Sequence, residues 1–489
     1  MEGKTHFEKT VILSIGHVFS VGVSFLIPVF LSRWLEIEAY GTFKLFILIQ
    51  GLFLAVVHLG MDFGLFYFIK SRPNAFPVFS LNAIIFETVL SLFCATLFLV
   101  FGGKASLLFN NPDLALHLLP FFFLILFSIP AQHLDHYFTV LDKIKWAVLS
   151  TILHEFLKTS IIIVGYFFFN SLSFVLSGLA LLSLAKLGIL VTFNALAMKR
   201  LRLSWGLLPH YLPAQLKYGL PLGLSHFISV LINFDKFLIS AFFNVRQFTL
   251  YSVGCFEVPV VHSVTNTMTD LMSFSMIGAR NEGDMARVKE LWRSTVRKIL
   301  LIHIPVAAFM VCFSSKVIEL VYSSLYAESA FYFRVFSIIF LLTAFDCDLV
   351  FRVFARTKSF FLVQLAAALW TLGALVYGAT ILGPVGALTS KLLADLLTLA
   401  VKLSYVKRLM TASWLELFVW DQMLGIAVIS IASAVSIARL SASLGLGAAF
   451  VVLDFVLYAL LVFGLSLITG IIKEDERRYL LSKVQTLTK

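Results

Sequence analysis

Ionisable side chains lie inside several long apolar segments of this sequence, where a charge is costly unless it faces a partner or a water-filled cavity. Helical spacing places polar residues of the second and the seventh segment on one face each. In the second segment that face carries Lys44, His58 and Asp62. In the seventh it carries Ser225, Ser229, Asn233, Lys236 and Ser240. A lysine there can bind a diphosphate or an acidic sugar, and a carboxylate there can exchange a proton or Na⁺.

The first and the eighth apolar segments carry similar polar stripes. On the first segment the stripe consists of Ser14, His17, Ser24 and Pro28. On the eighth it consists of His262, Asn266, Asp270 and Ser273. Four such stripes predict one shared polar cavity. The candidate substrate-binding residues are Lys236, Lys44, Asn233, His17, His58 and His262. The candidate ion-coupling residues are Asp62 and Asp270.

Each candidate also has a structural interpretation, which stays open at this point. Small and hydroxyl residues on a stripe commonly serve close helix packing. Lys44 and Asp62 each lie near a predicted membrane face, which a long side chain can reach by extending along the helix. Lys236 can instead pair with a carboxylate of another helix. The carboxylates considered are Asp62, Asp346 and Asp348. The spacing of Glu155 with Lys158 and of Lys391 with Asp395 predicts ion pairs within one helix.

Metal-binding residue types occur together at His133, Asp135 and His136. No HExxH motif accompanies them, and three ligands of good geometry are not evident from the spacing, so we expect no metal. The sequence has no phosphate-binding P-loop, no GxGxxG and no nucleophile elbow. We therefore expect no cofactor and no enzymatic activity. If the protein proves to be a transporter, the absence of an ATPase motif predicts a secondary transporter.

The composition indicates a membrane protein. Hydrophobic residues make up 60% of the 489 positions and charged residues 13%, against about 25% charged residues in soluble domains. Apolar runs of about 18 or more residues, each long enough to cross a bilayer, recur along the chain. The predicted fold is all-α and polytopic, with about fourteen transmembrane helices. Their predicted positions are 10–32, 42–68, 78–101, 114–140, 147–169, 172–197, 216–243, 248–277, 296–313, 329–352, 358–382, 385–406, 421–439 and 446–471.

The distribution of positive charge predicts the topology. With the N-terminus in the cytoplasm, 27 of the 38 lysine and arginine residues fall in cytoplasmic segments and six fall in outer segments. This asymmetry predicts an even number of spans with both termini in the cytoplasm. It also explains the net charge of +11 without a nucleic-acid partner. The four cysteines form no CxxC motif, which gives no indication of a disulfide framework or a zinc site.

An internal repeat relates the two halves of the chain. Trp34–Phe43 matches Phe242–Tyr251 at an offset of 208 residues, and Leu141–Lys145 resembles Phe354–Lys358 at an offset of 213. Six spans in each half predict a parallel repeat about an axis along the membrane normal. The predicted organisation is an N-lobe at 1–205, a C-lobe at 206–410, and two further helices with a cytoplasmic tail at 411–489.

Two stretches carry a resemblance to a known family. Leu31–Phe46 (LSRWLEIEAYGTFKLF) resembles the loop between the first two helices of bacterial polysaccharide-unit flippases. Tyr218–Gly254 resembles their seventh helix and the turn after it, although Arg246 and Gln247 stand where an acidic or small turn is more usual. These flippases belong to the multidrug/oligosaccharidyl-lipid/polysaccharide exporter superfamily. In the resembled family, helices one, two, seven and eight line the central cavity.

The resemblance implies a function and a set of partners. The implied activity is to flip an undecaprenyl-diphosphate-linked oligosaccharide, an O-antigen or exopolysaccharide unit, across the bacterial cytoplasmic (inner) membrane by alternating access. The implied partners are the lipid-linked oligosaccharide, membrane lipids, H⁺ or Na⁺ as coupling ion, and the polymerase and glycosyltransferases of the same pathway.

Three other functions remain as alternatives. A peptidoglycan lipid-precursor flippase fits the same pattern. A drug/cation antiporter of the same superfamily is less favoured, because such proteins favour an acidic cavity and twelve spans, whereas five lysines lie inside the predicted spans here. A membrane polysaccharide polymerase or ligase would be expected to have a large outer loop with Arg and His, and the outer loops here are short and poor in arginine.

Overall fold

The structure is a computed structural model that describes residues 2–232, 234–256 and 259–471. Within these ranges some side chains, those of residues 2–15, His17, His262, Asn266 and Asp270 among them, are outside the description. The α-helices are α1 (Glu2–Trp34), α2 (Ile37–His58), α3 (Met61–Ser71), α4 (Phe76–Leu108), α5 (Leu118–Ala131), α6 (His133–Val140), α7 (Ile144–Phe169), α8 (Leu172–Arg200), α9 (Leu207–Ile232), α10 (Asp235–Phe242), α11 (Val245–Gly254), α12 (Pro259–Asn281), α13 (Met285–Tyr322), α14 (Ser329–Leu342), α15 (Cys347–Val353), α16 (Thr357–Met410), α17 (Trp414–Leu417), α18 (Trp420–Ser443) and α19 (Val451–Ile468). Short 3₁₀ helices occupy Pro73–Ala75, Pro112–His117, Ser324–Tyr326 and Ala448–Phe450.

The prediction of an all-α polytopic membrane protein is confirmed. Nine helices among the described residues are long and apolar enough to cross a membrane. Each of the fourteen predicted spans coincides with one helix, with two consecutive helices, or with one half of α16. Large apolar side chains are exposed along these helices, as at Leu107, which is 78% exposed. Such a surface suits contact with lipid and not with water.

Several predicted spans consist of two consecutive helices. The second span consists of α2 and α3, which are separated by Leu59 and Gly60 with φ of 37° and 78°. The fourth span consists of α5 and α6, which meet in a kink at Gln132, where the backbone stays helical (φ −65°, ψ −25°) and Pro130 has no N–H to continue the helical hydrogen bonds. Its relative in the predicted repeat is the tenth span, which is divided into α14 and α15. The second span's relative, the eighth, is divided into α11 and α12 at a different point, since residues 59–60 correspond at the offset of 208 to residues 267–268 within α12.

The chain divides into two compact units, Met1–Thr249 and Leu250–Lys489. The predicted boundary at residue 205 separates the two repeated halves of the sequence. It is a different kind of division from these compact units, so it stays a prediction. In the first unit, Phe46 and Phe121 are fully buried and meet edge to face with 4.7 Å between their ring centres. In the second unit, Trp292 is buried in the core and its indole N–H donates to the carbonyl oxygen of Leu417 at 3.3 Å.

Glycines allow α9 to approach the break between α2 and α3. A Cβ atom on Gly60 would lie 2.0 Å from the carbonyl oxygen of Gly219, and one on Gly223 would lie 2.1 Å from the carbonyl carbon of Leu59. Because every atom met is backbone, no side-chain rotation could relieve these contacts. The positive φ of Gly60 adds a second reason for glycine at this position. The backbone of α9 therefore packs directly against the interruption of the second span.

In the second unit, α16 contains two predicted spans joined by a sharp kink. Gly383 has φ 66° and ψ −151°, outside the helical region, and Pro384 follows it. The two arms approach closely, since a Cβ on Gly378 would lie 2.3 Å from the carbonyl oxygen of Gly386. The predicted boundary between the eleventh and twelfth spans, at 383–384, is confirmed.

Candidate functional site

Two histidines and one glutamate meet inside the first unit. The Glu87 atom Oε1 lies 2.8 Å from His58 Nδ1 and 2.8 Å from His133 Nε2. The side chains of Glu87 and His133 are fully buried, and that of His58 is 15% exposed. The three groups each offer a ligand atom, and these atoms lie within 4.8 Å of one another. We call this group the His–Glu–His cluster.

The interruptions of the second and fourth spans bring the two histidines to the cluster. His58 is the last residue of α2, and His133 is the first residue of α6. Glu87 comes from the uninterrupted helix α4. Interrupted membrane helices are tolerated where their freed groups line a cavity or meet buried partners, and such helices commonly carry ion and substrate sites. Both breaks therefore position the ionisable side chains of this cluster.

Further polar groups surround the cluster. The side chain of Gln132 hydrogen-bonds to His58, and Asp62 acts electrostatically on both His58 and His136. Asp62 is half-buried at the start of α3, and its Oδ1 atom is buried without a hydrogen-bond partner among the described residues. Asp62 was selected from the sequence for ion coupling, and it follows His58 by four residues across the break between α2 and α3.

An ion pair beside the cluster has a counterpart in the second unit. Asp135 on α6 accepts from Lys186 on α8 at 2.8 Å. In the second unit, Asp348 on α15 accepts from Lys402 on α16 at 2.7 Å. The two aspartates stand 213 residues apart, the offset already seen between Leu141–Lys145 and Phe354–Lys358. This repeated arrangement of an acid after the break and a lysine two spans later supports the predicted internal repeat.

Lys158, Lys186 and Lys391, which lie inside predicted spans, form ion pairs with described residues. Lys186 pairs with Asp135, and the predicted pairs Glu155–Lys158 and Lys391–Asp395 are both confirmed, the second at 3.7 Å. Ser24 also donates to Glu155. These lysines are therefore structural ions whose partners offset the cost of burial.

The other two lysines, Lys44 and Lys236, were selected as substrate-binding candidates. Lys44 is half-buried on α2, with its ammonium 5.2 Å from the centre of the Tyr40 ring. It stands fourteen residues from His58, about 21 Å along the helix axis, so the two do not meet. Lys236 is half-buried on α10 and makes no ion pair with the residues whose side chains the structure describes.

Two of the carboxylates considered as partners for Lys236 have cations within their own unit. Asp348 pairs with Lys402, and Asp346 lies 3.5 Å from Arg352. Four of the substrate-binding and ion-coupling candidates predicted from the sequence have side chains outside the described residues. These are His17, Asn233, His262 and Asp270.

The sequence did not single out Glu87. The available signal was a lone acidic residue in the interior of the third span, where an uncompensated charge is expensive. His133 was considered only with its sequence neighbours. Asp135 pairs with Lys186 instead, and His133 meets Glu87 and His58 as well as its neighbour His136.

The helix arrangement defines a class of protein that solved structures share. The lipid II flippase MurJ in an inward closed conformation is similar over 94% of this chain and 99% of its own, with a TM-score of 0.69 and 13% identity. A multidrug resistance MATE family transporter of the MOP superfamily, in an inward-facing conformation, is similar over 83% of this chain and 99% of its own, with a TM-score of 0.61 and 14% identity. The MATE transporter VcmN of Vibrio cholerae is similar over 84% of this chain and 97% of its own, with a TM-score of 0.53 and 15% identity. At these identities the likeness shows the fold.

The sequence of the chain identifies its family. The model of the polysaccharide biosynthesis protein family matches residues 30–331, and the chain belongs to that family. Both stretches that carried the resemblance, Leu31–Phe46 and Tyr218–Gly254, lie inside the match, and the recognition of a polysaccharide-unit exporter family is confirmed. No curated protein matches the chain.

Proposed function

We propose that this protein is a secondary transporter that flips an undecaprenyl-diphosphate-linked oligosaccharide across the bacterial cytoplasmic membrane by alternating access. The observation that carries the proposal is membership of the polysaccharide biosynthesis protein family over residues 30–331. The fold supports it, because the similar solved structures are those of a lipid flippase and of multidrug transporters. On this proposal the protein is not an enzyme, and both termini lie in the cytoplasm.

The proposal assigns roles to the residues selected from the sequence. Lysines on polar stripes attract the diphosphate or acidic sugars through charge-assisted hydrogen bonds. The polar side chains beside them bind sugar hydroxyl groups. The proposed substrate-binding residues are Lys236, Lys44, Asn233, His17, His58 and His262. The half-buried positions of Lys44, His58 and Lys236 are compatible with this role.

Ion coupling is proposed for Asp62 and Asp270. A carboxylate removed from bulk water binds a proton more readily, and a membrane-embedded acid commonly marks an ion pathway. The buried Oδ1 atom of Asp62 supports the assignment. Partners on this proposal are H⁺ or Na⁺, membrane lipids, and the polysaccharide polymerase and glycosyltransferases that act before and after flipping.

A second candidate function is the flipping of a peptidoglycan lipid precursor. It is favoured by the higher TM-score to the lipid II flippase MurJ, 0.69, than to the MATE transporter, 0.61. A drug/cation antiporter and a membrane polysaccharide polymerase or ligase are less favoured, because the family is that of polysaccharide biosynthesis proteins.

A reconstituted flipping assay tests the proposal. Purified protein in liposomes receives a fluorescent undecaprenyl-diphosphate oligosaccharide, and a membrane-impermeant reductant then destroys the fluorescence of the outer leaflet. We expect the protected fraction to fall faster with protein present, and faster still under a pH or Na⁺ gradient. The Asp62→Asn and Asp270→Asn variants test coupling, since at least one should lose the gradient's effect while keeping its protein level.

The controls separate the competing functions. Liposomes with fluorescent lipid II, assayed in parallel, report the second candidate. Flipping of lipid II without flipping of the oligosaccharide would replace the proposal by that alternative. Protein that flips neither lipid under any gradient would contradict flipping altogether. Gradient dependence that is unchanged in both aspartate variants would remove these residues as coupling sites.

A further inference from the structure

We propose that the His–Glu–His cluster is a binding site for a divalent transition-metal ion of the zinc type. His58 Nδ1, Glu87 Oε1 and His133 Nε2 would be its ligands. Two imidazole nitrogens and one carboxylate oxygen are a ligand set that zinc uses. The proposal concerns the first unit alone, does not depend on which lipid the protein flips, and gives His58 a metal-binding role in place of the substrate-binding role assigned to it above.

The geometry of His133 is the first argument. Its Nε2 atom is 2.8 Å from Glu87 Oε1, close enough for the two groups to attract each other, although the ring is not aligned for a well-formed hydrogen bond with that oxygen or with another described atom. Two close polar atoms that do not point at each other can both point at a third atom between them. In a tetrahedral zinc site, ligand atoms lie about 2.0–2.2 Å from the metal and roughly 3.3 Å from each other. The side chains of Glu87 and His133 would therefore need to move apart only slightly from their 2.8 Å contact to bind an ion between them.

The unsatisfied atoms of the cluster are the second argument. Glu87 Oε2 and both ring nitrogens of His133 are buried without hydrogen-bond partners among the described residues. Burying a polar group without a partner is costly, and the hydrogen bond between His58 and Glu87 satisfies only the Oε1 atom of the carboxylate among the described residues. A divalent cation would compensate the Glu87 charge and would use the lone pair of a neutral His133. Asp62, which interacts electrostatically with His58, would supply a second negative charge near such an ion.

The surroundings of His58 are the third argument. Metal-binding histidines usually hydrogen-bond through the rest of the ring to a second polar group, which fixes the ring orientation. The side chain of Gln132 hydrogen-bonds to His58, and Gln132 stands at the break between α5 and α6. A bound ion would therefore join α2, α4 and α6 at the level where two membrane spans are interrupted.

Metal binding can be measured directly on the purified chain. The protein is prepared without a polyhistidine tag, stripped with a chelator and titrated with Co²⁺, whose visible absorption reports a low-symmetry site. We expect the intense absorption of a tetrahedral site, saturation near one ion per chain, and displacement by Zn²⁺. Glu87→Gln and His133→Gln should weaken binding by more than about tenfold, because even residues that only support a ligand contribute about 10–100-fold.

A matched histidine provides the control. His303 is buried in the second unit, where its ring hydrogen-bonds to Thr265 at 2.8 Å and stacks on Phe340, so His303→Gln should keep full Co²⁺ binding. If a ligand variant fails to fold, the wild-type titration still decides the matter. Absence of a Co²⁺ spectrum in folded wild-type protein would overturn the proposal and leave a proton or water within the cluster. Unchanged binding in folded Glu87→Gln and His133→Gln would also overturn it.

Discussion

Lys236 occupies a defined position on a short helix of the first unit. Helix α10 is eight residues long, and Asn110 holds its carboxyl end by donating to the carbonyl oxygens of Ala241 at 2.9 Å and Phe243 at 3.4 Å. The neighbouring Asp235 is buried, whereas the Lys236 side chain is half-buried. A cation held on an anchored element without an ion pair among the described residues suits the binding of an anion.

We expect the charge of Lys236 to be required for transport. Lys236→Arg should keep most activity, because a diphosphate is attracted by charge and does not need the geometry of one cation. Lys236→Ala and Lys236→Glu should abolish complementation of a flippase deletion while the protein inserts normally into the membrane. The measurement compares polysaccharide production with the amount of folded protein in the membrane.

The exposed Lys217 on α9 provides the control, and Lys217→Ala should leave polysaccharide production unchanged.

The structural alternative predicts a different pattern. If Lys236 pairs with a carboxylate, Lys236→Ala should lower folded protein, and a second substitution that neutralises the partner should restore it. Full complementation by a normally inserted Lys236→Ala variant would disprove anion binding by this residue.

At the scale of elements, the interrupted second span depends on a glycine contact with α9. Gly60 combines a φ of 78° with a position where a Cβ would meet the backbone of Gly219 at 2.0 Å. A side chain there is disfavoured by the conformation and by the contact. The break in turn positions His58, the last residue of α2, against Glu87.

Gly60→Ala is expected to destabilise the first unit. The cost should exceed about 1 kcal/mol, because alanine at positive φ is strained and the backbone of α9 must also move. The measurement is the thermal unfolding midpoint in detergent. Since displacement of α3 would also disturb the His–Glu–His cluster, any Co²⁺ binding should weaken in the same variant.

Gly51→Ala on α2 is the matched control within the same span. A Cβ on Gly51 meets nothing within 4 Å, and its φ is not positive. Alanine is favoured over glycine in a helix by about 0.5–1 kcal/mol, so this variant should unfold at the same or a slightly higher temperature. Equal midpoints for Gly60→Ala and the wild type would contradict the tight contact with α9.

At the scale of the whole molecule, the distribution of charge predicts the orientation in the membrane. Positive residues concentrate in the segments that an even number of spans places in the cytoplasm. The loops between helices give suitable fusion points: Phe109–Asn111 follows α4, and Ser323 follows α13, both on the predicted outer side. The segment Leu201–Gly206 after α8 lies on the predicted cytoplasmic side.

Reporter fusions test this orientation. Alkaline phosphatase, which is active only outside the cytoplasm, should be active when fused after Asn110 or Ser323. It should be inactive when fused after Arg202 or Lys489, where a fluorescent protein that folds in the cytoplasm should be bright. Phosphatase activity at Lys489 would require an odd number of spans and would exclude the two six-span lobes followed by two helices.

Much of the helical architecture follows from the sequence by local rules. Membrane spans are continuous apolar runs of a fixed minimum length, and their ends are marked by residues such as Gly383 and Pro384, which disfavour a regular helix. Ion pairs within one helix, such as Glu155–Lys158 and Lys391–Asp395, follow from the helical repeat alone. The apolar composition determined the membrane environment, since too few polar side chains are present to cover a surface in water.

Only the tertiary structure brought Glu87, His58 and His133 together and paired Asp135 with Lys186. These contacts join residues on different helices: His58 and Glu87 are 29 positions apart, and Asp135 and Lys186 are 51 positions apart. In a membrane nearly every helix is apolar around most of its circumference, so hydropathy does not indicate which face meets which neighbour. The polar partners depend on how helices pack and where they break, and packing is decided by shape and close backbone approach, as at Gly60 and Gly219, which no local periodicity encodes.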